Sequence, residues 1–313
     1  MRKFLLSLGL LAIALVISHP SPSFAQSFPT KQMRFVVPYP PGGSGDFLGR
    51  LYSEHLGRVL GSTVIVENKP GAATNIALDQ FARTDADGHS LMLGTGQMMM
   101  NMVFGPVPPV DPFAVLAPVA MIAEMPFVIA ANPDTGIASV KDMVAKARTQ
   151  RLTISHAQFE PQLKLLTIAT GASLDSIPYK GGAPSVMAAL GGQVSLVGAY
   201  LPVLMGHVKG GKLRAVGIAS AARATALPEV ATFAEQGFPR FTHTIWYSVV
   251  VPKGTPDAVL QRLTTATLDV VKDPQFLRSL QGGGAEPLAG TPKDVIATMR
   301  KEMEIWAEVA KAK

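Results

Sequence analysis

The sequence predicts an α/β protein of two lobes, each a mixed, mainly parallel sheet flanked by helices, with two strands crossing between the lobes. The chain has 313 residues, and single hydrophobic cores stop growing at about 250–300 residues. Short β-rich runs alternate with helical patterns, an order typical of a parallel sheet with helices on both faces. A proline-rich passage, residues 105–120, separates two such series.

The first series supplies strands, helices and three loops that follow strands. The strands are MRFVVPY, STVIVENKP and SLMLGT, and the helices are DFLGRLYSEHLGRVLG and TNIALDQFARTD. In such sheets ligands lie beyond the carboxyl ends of the strands, where loops enter helices. The three loops at this position are PYPPGGSGD, NKPGAATN and GTGQMMMN. Their glycines allow a ligand to approach the backbone N–H groups closely.

The second series begins after the proline-rich passage. Its strands are MPFVIAANP, RLTISHA, LDSIPY, VSLVGAY, LRAVGIA and FTHTIWYSVVVP. Its helices cover residues 139–150, 162–170 and 184–192, then a stretch opening at Thr255-Pro256 and another running from Pro292. MIAEMPFVI and HTIWYSVVV are the predicted crossing strands. The predicted divisions are a leader, 1–25, a first lobe, 26–124, a second lobe, 125–246, and a return to the first lobe, 247–313.

Residues 1–25 have the pattern of a secretory signal peptide: a positive head, an apolar run too short to span a bilayer, and small residues before a cleavage site. We expect cleavage after Ala25. The chain has no cysteine, which excludes disulfides, thiol catalysis and lipid anchoring at this boundary. The predicted mature protein is therefore a soluble exported protein without a membrane anchor.

Charge and motifs exclude several classes of function. The formal net charge is +6, and the basic residues are scattered, which argues against nucleic acid as a partner. The sequence contains no G-x-S-x-G elbow, no G-x-G-x-x-G fingerprint and no phosphate-binding P-loop. Its histidines form no H-x-x-x-H pair. We expect no metal, no cofactor and no catalytic residue.

The three loops favour anion binding instead. Backbone N–H groups at a helix N-terminus attract a carboxylate or phosphate. Ser44, Thr74 and Thr95 add neutral hydroxyl donors, which suit binding rather than turnover. Asp46 reads as a helix-capping residue or as a brace for its loop. His156, beside Ser155 at the end of a strand, is expected to line a cleft.

Several motifs carry a resemblance over nearly the whole chain, from Phe28 to the last helix. They are FPTKQMRFVVPYPPGGSGD, TVIVENKPGAATNIALD, DADGHSLMLGT, IPYKGGAPSVMAALGGQVS, GKLRAVGIASAARATALPEVATFAEQGFP and VPKGTPDAVLQRL. The sequence resembles the substrate-binding proteins of tripartite tricarboxylate transporters, the Bug family. The resemblance implies a two-lobed, type II periplasmic binding protein fold. It also implies a monomeric, non-enzymatic periplasmic receptor that delivers a small carboxylate to membrane permease subunits.

The resemblance matches ligand-binding loops to Pro41–Asp46, Gly71–Asn75, Thr95 with its followers, and Pro178–Gly182. With the neighbouring residues of the cleft, the predicted ligand-binding residues are Tyr39, Pro41, Gly42, Gly43, Ser44, Asp46, Ala73, Thr74, Asn75, Thr95, Gln97, Ser155, His156, Tyr179, Lys180, Gly181, Gly198, Ala199 and Tyr200. The chain departs from the family at SHAQFEPQLKLL, in place of a Gly-Ser-rich turn, and at Tyr200, which offers an aromatic face.

The ligand class stays open at this point. It is a di- or tricarboxylate, or an aromatic or aliphatic acid. Three alternatives also stay open: a receptor for a sensor kinase, an exported serine hydrolase using Ser44, and a binder of phosphate or sulfonate. These oxyanions would suit the same loops, because loop backbones recognise a charge rather than a molecule.

Overall fold

The computed structural model describes residues 28–157 and 159–311. Its strands are β1 (Met33–Val37), β2 (Val64–Asn68), β3 (Ser90–Thr95), β4 (Leu116–Ala131), β5 (Thr153–His156), β6 (Asp175–Pro178), β7 (Leu196–Tyr200), β8 (Arg214–Ala219), β9 (Thr244–Pro252) and β10 (Glu286–Gly290). Its α-helices are α1 (Ser44–Leu60), α2 (Asn75–Phe81), α3 (Gly96–Phe104), α4 (Pro112–Val115), α5 (Val140–Ala147), α6 (Glu160–Thr170), α7 (Gly182–Leu190), α8 (Leu201–Lys209), α9 (Asp257–Lys272), α10 (Pro274–Gly282) and α11 (Pro292–Lys311). The predicted leader and its cleavage position lie outside the described residues.

One mixed sheet runs through the described chain. Its strand order is β2-β1-β3-β9-β4-β7-β5-β6, and β8 and β10 also pair with β4. The parallel pairs lie toward the two ends of the sheet, whereas β4 and β9 pair antiparallel with their neighbours. The mixed α/β fold predicted from the sequence is confirmed.

The first half of the sheet follows the predicted order. β1 pairs parallel with β2 on one side and with β3 on the other. Helices α1 and α2 connect these strands, as parallel pairing requires. Phe35 and Val37 of β1, Leu91 and Leu93 of β3, and Tyr52 of α1 are buried in one core. The loops before α1, α2 and α3 therefore meet at the carboxyl edge of this half.

The second half repeats this arrangement with β5, β6 and β7. β5 pairs parallel with β6 and with β7, and α6 and α7 are the connections between them. Strand β4 joins the two halves, because its first part pairs with β9 and β10 and its last part pairs with β7 and β8. The loop edges of the two halves face a common region.

The predicted crossing segments lie next to each other. Met121 pairs with Ser248 and Met125 pairs with Ile245, so β4 and β9 are antiparallel neighbours. The register of this pair shifts between Pro118 and Ala120, beside a proline, which cannot donate a ladder hydrogen bond. Paired strands of this kind provide a continuous connection between the two halves.

Five elements are not predicted by the sequence patterns: α3, the short α4, α8, α10 and β10. Helix α3 has the sequence GQMMMNMVF, which begins with Gly96 and lacks the regular spacing of apolar and polar residues that is typical of a surface helix. The pattern therefore indicated a loop. Helix α8, LPVLMGHVK, contains Pro202 and Gly206, which reduce helix propensity. Both helices are held by packing of their apolar faces, since Met98–Met100 and Leu204 are buried.

Helix α11, the last element of the described chain, packs against the first half of the sheet and against α3. Its Val295, Met299 and Trp306 are buried, and Trp306 packs edge-on against Phe104 of α3, with ring centroids 5.9 Å apart. The helix is amphipathic, as predicted, with an exposed face opposite these residues. None of the helices that the structure describes is long and apolar enough to cross a membrane.

Candidate functional site

A cavity of about 420 Å³ lies where the loop edges of the two halves of the sheet meet. The predicted residues that line it are Tyr39, Gly43, Ser44, Ala73, Thr74, Gln97, Lys180, Gly181, Ala199 and Tyr200. Gly71, Ala72 and Gly182, from loops matched by the family resemblance, line it as well. The structure thus brings residues from distant parts of the sequence around one space.

Nine predicted residues do not line this cavity. They are Pro41, Gly42, Asp46, Asn75, Thr95, Ser155, His156, Tyr179 and Gly198. Gly198, for example, lies beneath an aromatic ring, because a Cβ at this position would be 2.9 Å from Cζ of Phe127. Most of the others hold lining residues in position, as described below.

The first loop ends at the N-terminus of α1. Gly43 is its N-cap residue, and no side chain caps this helix end. Gly45, in the first turn, allows the Tyr39 ring to lie against the helix, because a Cβ there would be 2.3 Å from Cδ2 of Tyr39. The first N–H groups of a helix have no intrahelical partner. This end of α1 can therefore donate to an anion in the cavity.

Asp46 braces this loop from behind. Its carboxylate accepts hydrogen bonds from the Gly42 N–H (3.0 Å), Arg50 Nε (3.0 Å) and Asn68 Nδ2 (2.9 Å). Burial acts to raise its pKa, but the hydrogen bonds from Arg50, Gly42 and Asn68 hold the pKa of Asp46 below its ordinary value. The residue fits the predicted loop-shaping role and is absent from the cavity wall.

The second loop has an unusual backbone. Ala72, Ala73 and Thr74 have φ angles of 45°, 49° and 85°, and they follow Gly71 at 133°. Residues other than glycine rarely adopt positive φ, and such conformations cost of order 1 kcal/mol or more each. Strain of this kind persists where the surroundings over-determine it.

A chain of buried amides holds the strained loop. Asn101, fully buried on α3, donates from Nδ2 to the Ala73 carbonyl (2.5 Å) and to Asn75 Oδ1 (3.0 Å). Its Oδ1 accepts from Gln97 Nε2 at 2.9 Å, and Asn75 Nδ2 donates to the Pro106 carbonyl at 2.7 Å. Sequence reasoning missed Asn101, although its i+4 spacing from Gln97 places both on one helix face.

Thr95 forms hydrogen bonds with two neighbouring residues and does not line the cavity. Its Oγ1 caps α3 by accepting from the Gln97 N–H (3.3 Å), and it is hydrogen-bonded to the Tyr39 hydroxyl (2.9 Å). Tyr39 in turn meets the Tyr247 ring edge-on, with centroids 6.4 Å apart. Burial raises the pKa of Tyr39 and of Tyr247, so both rings present neutral surfaces to the cavity.

Ser155 and His156, at the end of β5, are buried behind the cavity wall. Ser155 Oγ donates to the Ser185 carbonyl at 2.8 Å. His156 Nδ1 accepts from the Phe159 N–H (2.8 Å), and its Nε2 is 2.6 Å from Ser176 Oγ. Burial lowers the pKa of His156. The His156 side chain thus helps to fix the position of Phe159, which does line the cavity, whereas Ser155 braces the start of α7.

Tyr200 presents its ring to the cavity and its hydroxyl to the interior. The hydroxyl accepts from Gln162 Nε2 at 3.1 Å and lies 3.1 Å from His243 Nε2. Gln162 and His243 are buried and are not part of the cavity wall. Burial raises the pKa of Tyr200 and lowers that of His243 to about 4. The hydrogen-bonding end of Tyr200 is thus engaged away from the cavity.

The loop before α7 brings the second half of the sheet to the cavity. Gly181 is the N-cap residue of α7, and this helix end has no side-chain cap. Gly181 has a φ of 121°, and a Cβ there would be 3.0 Å from Cγ of Pro40 in the first loop. The two loops therefore touch across the cavity mouth, beside the exposed Lys180.

The charge pattern of the wall is simple. Among the described lining residues, Lys180 is the single charged side chain, and no carboxylate is present. Over residues 28–157 and 159–311, no group of three His, Asp or Glu side chains could hold a metal ion. A lysine and open helix N-termini favour an anion and disfavour a cation.

The lining residues that sequence reasoning missed are Pro38, Pro40, Gly45, Pro70, Ala157, Phe159, Val203 and Tyr247. Four of them flank predicted loop residues, so a wider reading of PYPPGGSGD and NKPGAATN would have included them. Phe159 lies in the segment that departs from the family, and Val203 lies in the unpredicted α8. Tyr247 lies on β9, and only the antiparallel pairing of β3 with β9 brings it to the cavity.

A second cavity of about 560 Å³ shares Ala72, Ala73 and Gln97 with the first. It opens between α3 and α6, with Met100, Phe104 and Pro161 among its walls. The strained loop and Gln97 thus form a partition between the two spaces. Met98 and Met99 of the methionine run are buried in the core.

Comparison with known proteins decides the family. Residues 48–313 match the family described as "Tripartite tricarboxylate transporter family receptor". The chain belongs to this family. It is also similar to BugT of Bordetella pertussis, with 32% identity over 300 residues, covering 93% of this chain and 92% of that protein. The predicted Bug-family resemblance is confirmed.

Solved structures agree with this family in fold. A TM-score of 0.86 and 29% identity relate the chain to R. palustris Rpa4515 with adipate, over 91% of this chain and 97% of that one. The chain is also similar to MatC from Rhodopseudomonas palustris with bound malate. The TM-score is 0.83 and the identity 25%, over 91% of this chain and 100% of that one. The receptor is therefore a binding protein of this transporter family, and its relatives are substrate-binding proteins.

Proposed function

We propose that the receptor binds a small carboxylate in the 420 Å³ cavity and delivers it to the permease subunits of a tripartite tricarboxylate transporter. The observation that carries the proposal is the polarity of the wall. The uncapped N-termini of α1 and α7 and the Lys180 ammonium border the cavity, whose described wall has no carboxylate. Adipate and malate, bound by two relatives, are ligands of this chemical class.

The same proposal covers location and lobe boundaries. Residues 1–25 would direct export to the periplasm and be removed after Ala25. Residues 26–124 and 247–313 would form one lobe and residues 125–246 the other. The paired strands β4 and β9 support these boundaries, because each strand passes through one of them. Ligand contacts to both lobes would then stabilise the closed form.

The wall supports binding without turnover. A hydrolase of the Ser-His-Asp type needs a histidine within hydrogen-bond reach of its serine nucleophile. His156 and His243 are engaged with Ser176 and Tyr200 instead, and neither lines the cavity with Ser44. Neutral donors and one lysine are sufficient to hold an anion reversibly.

The first test is thermal unfolding of residues 26–313, refolded from denaturant to remove any copurified ligand. The panel contains mono-, di- and tricarboxylates, aromatic acids, phosphate and sulfonates. A ligand at 100 times its Kd adds about 2.7 kcal/mol to the unfolding free energy, so a carboxylate should raise Tm clearly. Stabilisation by phosphate or sulfonate alone, or by nothing in the panel, would contradict the proposal.

Delivery to a permease needs a separate measurement in cells. Deleting the gene should abolish uptake of the radiolabelled acid that stabilises the purified protein. Normal uptake together with loss of an acid-induced transcriptional response would instead support a receptor for a sensor kinase.

A further inference from the structure

We propose that Gln97 determines specificity for a hydroxylated acid, because its side-chain carbonyl oxygen, Oε1, accepts a hydrogen bond from a neutral hydroxyl group of the ligand. This inference rests on the proposed function, since it concerns the ligand of the same cavity. It follows from the direction of the hydrogen bonds in the chain of buried amides that ends at Gln97, together with the charge of the wall. The preferred ligand is therefore a hydroxycarboxylate.

The chain of amides has one possible direction. The Ala73 carbonyl can only accept, so the Asn101 side chain must present its Nδ2 to it, at 2.5 Å. The Pro106 carbonyl likewise accepts from Asn75 Nδ2 at 2.7 Å, which leaves Asn75 Oδ1 to accept from Asn101 Nδ2 at 3.0 Å. Both protons of the Asn101 amide nitrogen are then used, and Asn101 Oδ1 remains as an acceptor.

This direction determines which atom of Gln97 is left over. Because Asn101 Oδ1 accepts, Gln97 must donate to it from Nε2, at 2.9 Å. The opposite orientation of the Gln97 amide would place two oxygens against each other. Gln97 Oε1 therefore faces away from Asn101 Oδ1, and it accepts no hydrogen bond from another residue that the structure describes. The oxygen is not sealed within the protein, and Gln97 lines both cavities.

Gln97 Oε1 differs from the other polar side-chain atoms of the wall. Ser44 and Thr74 carry hydroxyl groups, which can donate as well as accept, and Lys180 only donates. Among the described lining residues, Gln97 has the one side-chain oxygen that can only accept. The donors suit the carboxylate of the ligand, whereas a carboxylate at Oε1 would place oxygen lone pairs against each other. The part of the ligand that meets Gln97 must therefore be a donor.

The charge of the wall favours a hydroxyl rather than an ammonium group as this donor. Lys180 and the uncapped ends of α1 and α7 favour negative charge, and no carboxylate of the described wall residues could balance a ligand cation. A ligand that fills the cavity displaces water from Gln97 Oε1, so an acid without a donor leaves this oxygen unpaired. Sites that hydrogen-bond a hydroxyl discriminate against the analogue that lacks it for this reason.

The test compares acids that differ in one hydroxyl group. Isothermal titration of refolded residues 26–313 measures Kd for lactate against propionate, malate against succinate, citrate against tricarballylate, and mandelate against phenylacetate. In the pair that binds most tightly, we expect the hydroxy acid to bind roughly tenfold more tightly or better. Equal or tighter binding of the acid without the hydroxyl would overturn the inference and leave the proposed function standing. Binding of none of these acids would overturn the inference, and failure of the wider carboxylate panel would overturn the proposed function as well.

Amino acids test the choice of donor. Alanine, aspartate and phenylglycine carry an ammonium group at the position of the hydroxyl in lactate, malate and mandelate. Where the hydroxy acid binds, we expect its amino acid counterpart to bind roughly tenfold more weakly or worse. Tighter binding of the amino acid would show that the cavity accepts a cationic donor and would overturn the assignment of a hydroxycarboxylate.

Variants test the role of Gln97 itself. Gln97→Met keeps the approximate length of the side chain and removes Oε1, so the ratio of Kd values within the tightest-binding pair should fall to about threefold or less. Gln236→Met is the matched control and should keep the parent ratio, because the Gln236 amide is engaged with Val140 and Val216 outside the cavity wall. Gln97→Ala provides the same test if Gln97→Met does not fold. A parent-like ratio in a folded Gln97 variant would overturn the inference.

Discussion

The helix N-termini at the cavity differ from those at three other places in the described chain. Asp111, Ser139 and Asp273 cap α4, α5 and α10, each accepting a hydrogen bond from a backbone N–H of its helix. Helices α1, α2, α6, α7 and α8, whose first turns or N-cap residues border the cavity, have no side-chain cap. The first group satisfies its N–H groups from within the protein, and the second leaves them open.

This difference shows where the protein reserves donors for another molecule. A capping side chain stabilises a helix by about 1 kcal/mol, and the helices at the cavity forgo that contribution. An open end is informative only together with a cavity, because α9 begins after Pro256 without a side-chain cap and lies elsewhere. Helix α3 begins at the cavity and is capped by Thr95, so it is not a free donor end.

The largest expected effect comes from closing the α1 end with a side chain. Gly43→Asp places a good capping residue at a backbone conformation, φ −88° and ψ 172°, that any residue adopts. Its carboxylate would accept the N–H groups of α1 and repel an anionic ligand. We expect affinity for the stabilising carboxylate to fall at least a thousandfold, about 4 kcal/mol, measured by isothermal titration.

Gly43→Asn is the matched variant, because asparagine caps as well as aspartate but carries no charge. It should also weaken binding, yet bind at least tenfold better than Gly43→Asp. Both variants should unfold at a temperature no lower than that of the parent. Equal affinities for the two variants would show that the site does not hold an anion at α1.

The next largest effect is expected for the pH dependence of stability, and it comes from His243. This residue is buried behind Tyr200, the N-cap residue of α8. His243 has a pKa of about 4 in the folded protein, against about 6.5 when unfolded. As pH falls below about 6.5 the unfolded chain takes up a proton that the folded chain does not, so stability is lost until pH 4. The loss should reach about 3 kcal/mol, measured by urea unfolding at a series of pH values.

The slope of this pH dependence is the decisive quantity. His243→Gln should flatten it between pH 6.5 and 4, even if that variant is less stable at pH 7. His156, whose pKa is also lowered, contributes in the same direction. Carboxyl groups with lowered pKa, such as Asp87 at about 2, also contribute in this direction as pH approaches 4. A parent-like slope in His243→Gln would assign the effect to other groups.

Sequence patterns predicted the parts of this arrangement that depend on local chemistry. The strands β1, β2 and β3 and helices α1 and α2 follow from alternation, and PYPPGGSGD and NKPGAATN follow from their glycines. Ser44 and Thr74 line the cavity because each belongs to one of these loops, and Lys180, which was matched to a binding loop by the family resemblance, lines it as well. The sequence did not predict helices α3 and α8, because tertiary packing of their apolar faces, rather than the helix propensity of their residues, stabilises them.

The open and capped ends could not be told apart from the sequence. Asp46 looks like a cap for α1, but its carboxylate accepts from Gly42, Arg50 and Asn68 instead. Thr95 looks like a ligand donor, but it caps α3. Tyr247 reaches the wall only through the pairing of β9 with β3. These outcomes depend on side-chain directions and on pairings between distant segments.

A smaller effect is expected from loosening the strained loop at the cavity. Asn101→Ala removes the donor to the Ala73 carbonyl and leaves the Gln97 and Asn75 amides without this partner. We expect a loss of about 2 kcal/mol in unfolding free energy and a roughly tenfold weaker Kd, a change of about 1.4 kcal/mol in binding. Urea unfolding and isothermal titration measure the two quantities.

Asn132→Ala is the control for the loop. Asn132 is also buried, donates to the Ala189 carbonyl at 2.8 Å and accepts from the Asp134 N–H at 3.0 Å, but it is not part of the cavity wall. It should lose comparable stability and keep the parent Kd. A similar loss of affinity in both variants would mean that global destabilisation, rather than the position of the Ala72–Thr74 backbone, weakens binding.

The smallest effect is expected at a capped end. Ser139 Oγ accepts from the Asp142 N–H at 3.1 Å and caps α5, away from the cavity. Ser139→Ala should lower the unfolding free energy by about 1 kcal/mol and leave Kd unchanged, because these N–H groups serve the helix alone. Ser139→Asp, which keeps an acceptor at the N-cap, should restore the stability. If Ser139→Ala were neutral, the capped ends would contribute no stability, and the open ends at the cavity would no longer imply that donors are reserved for a ligand.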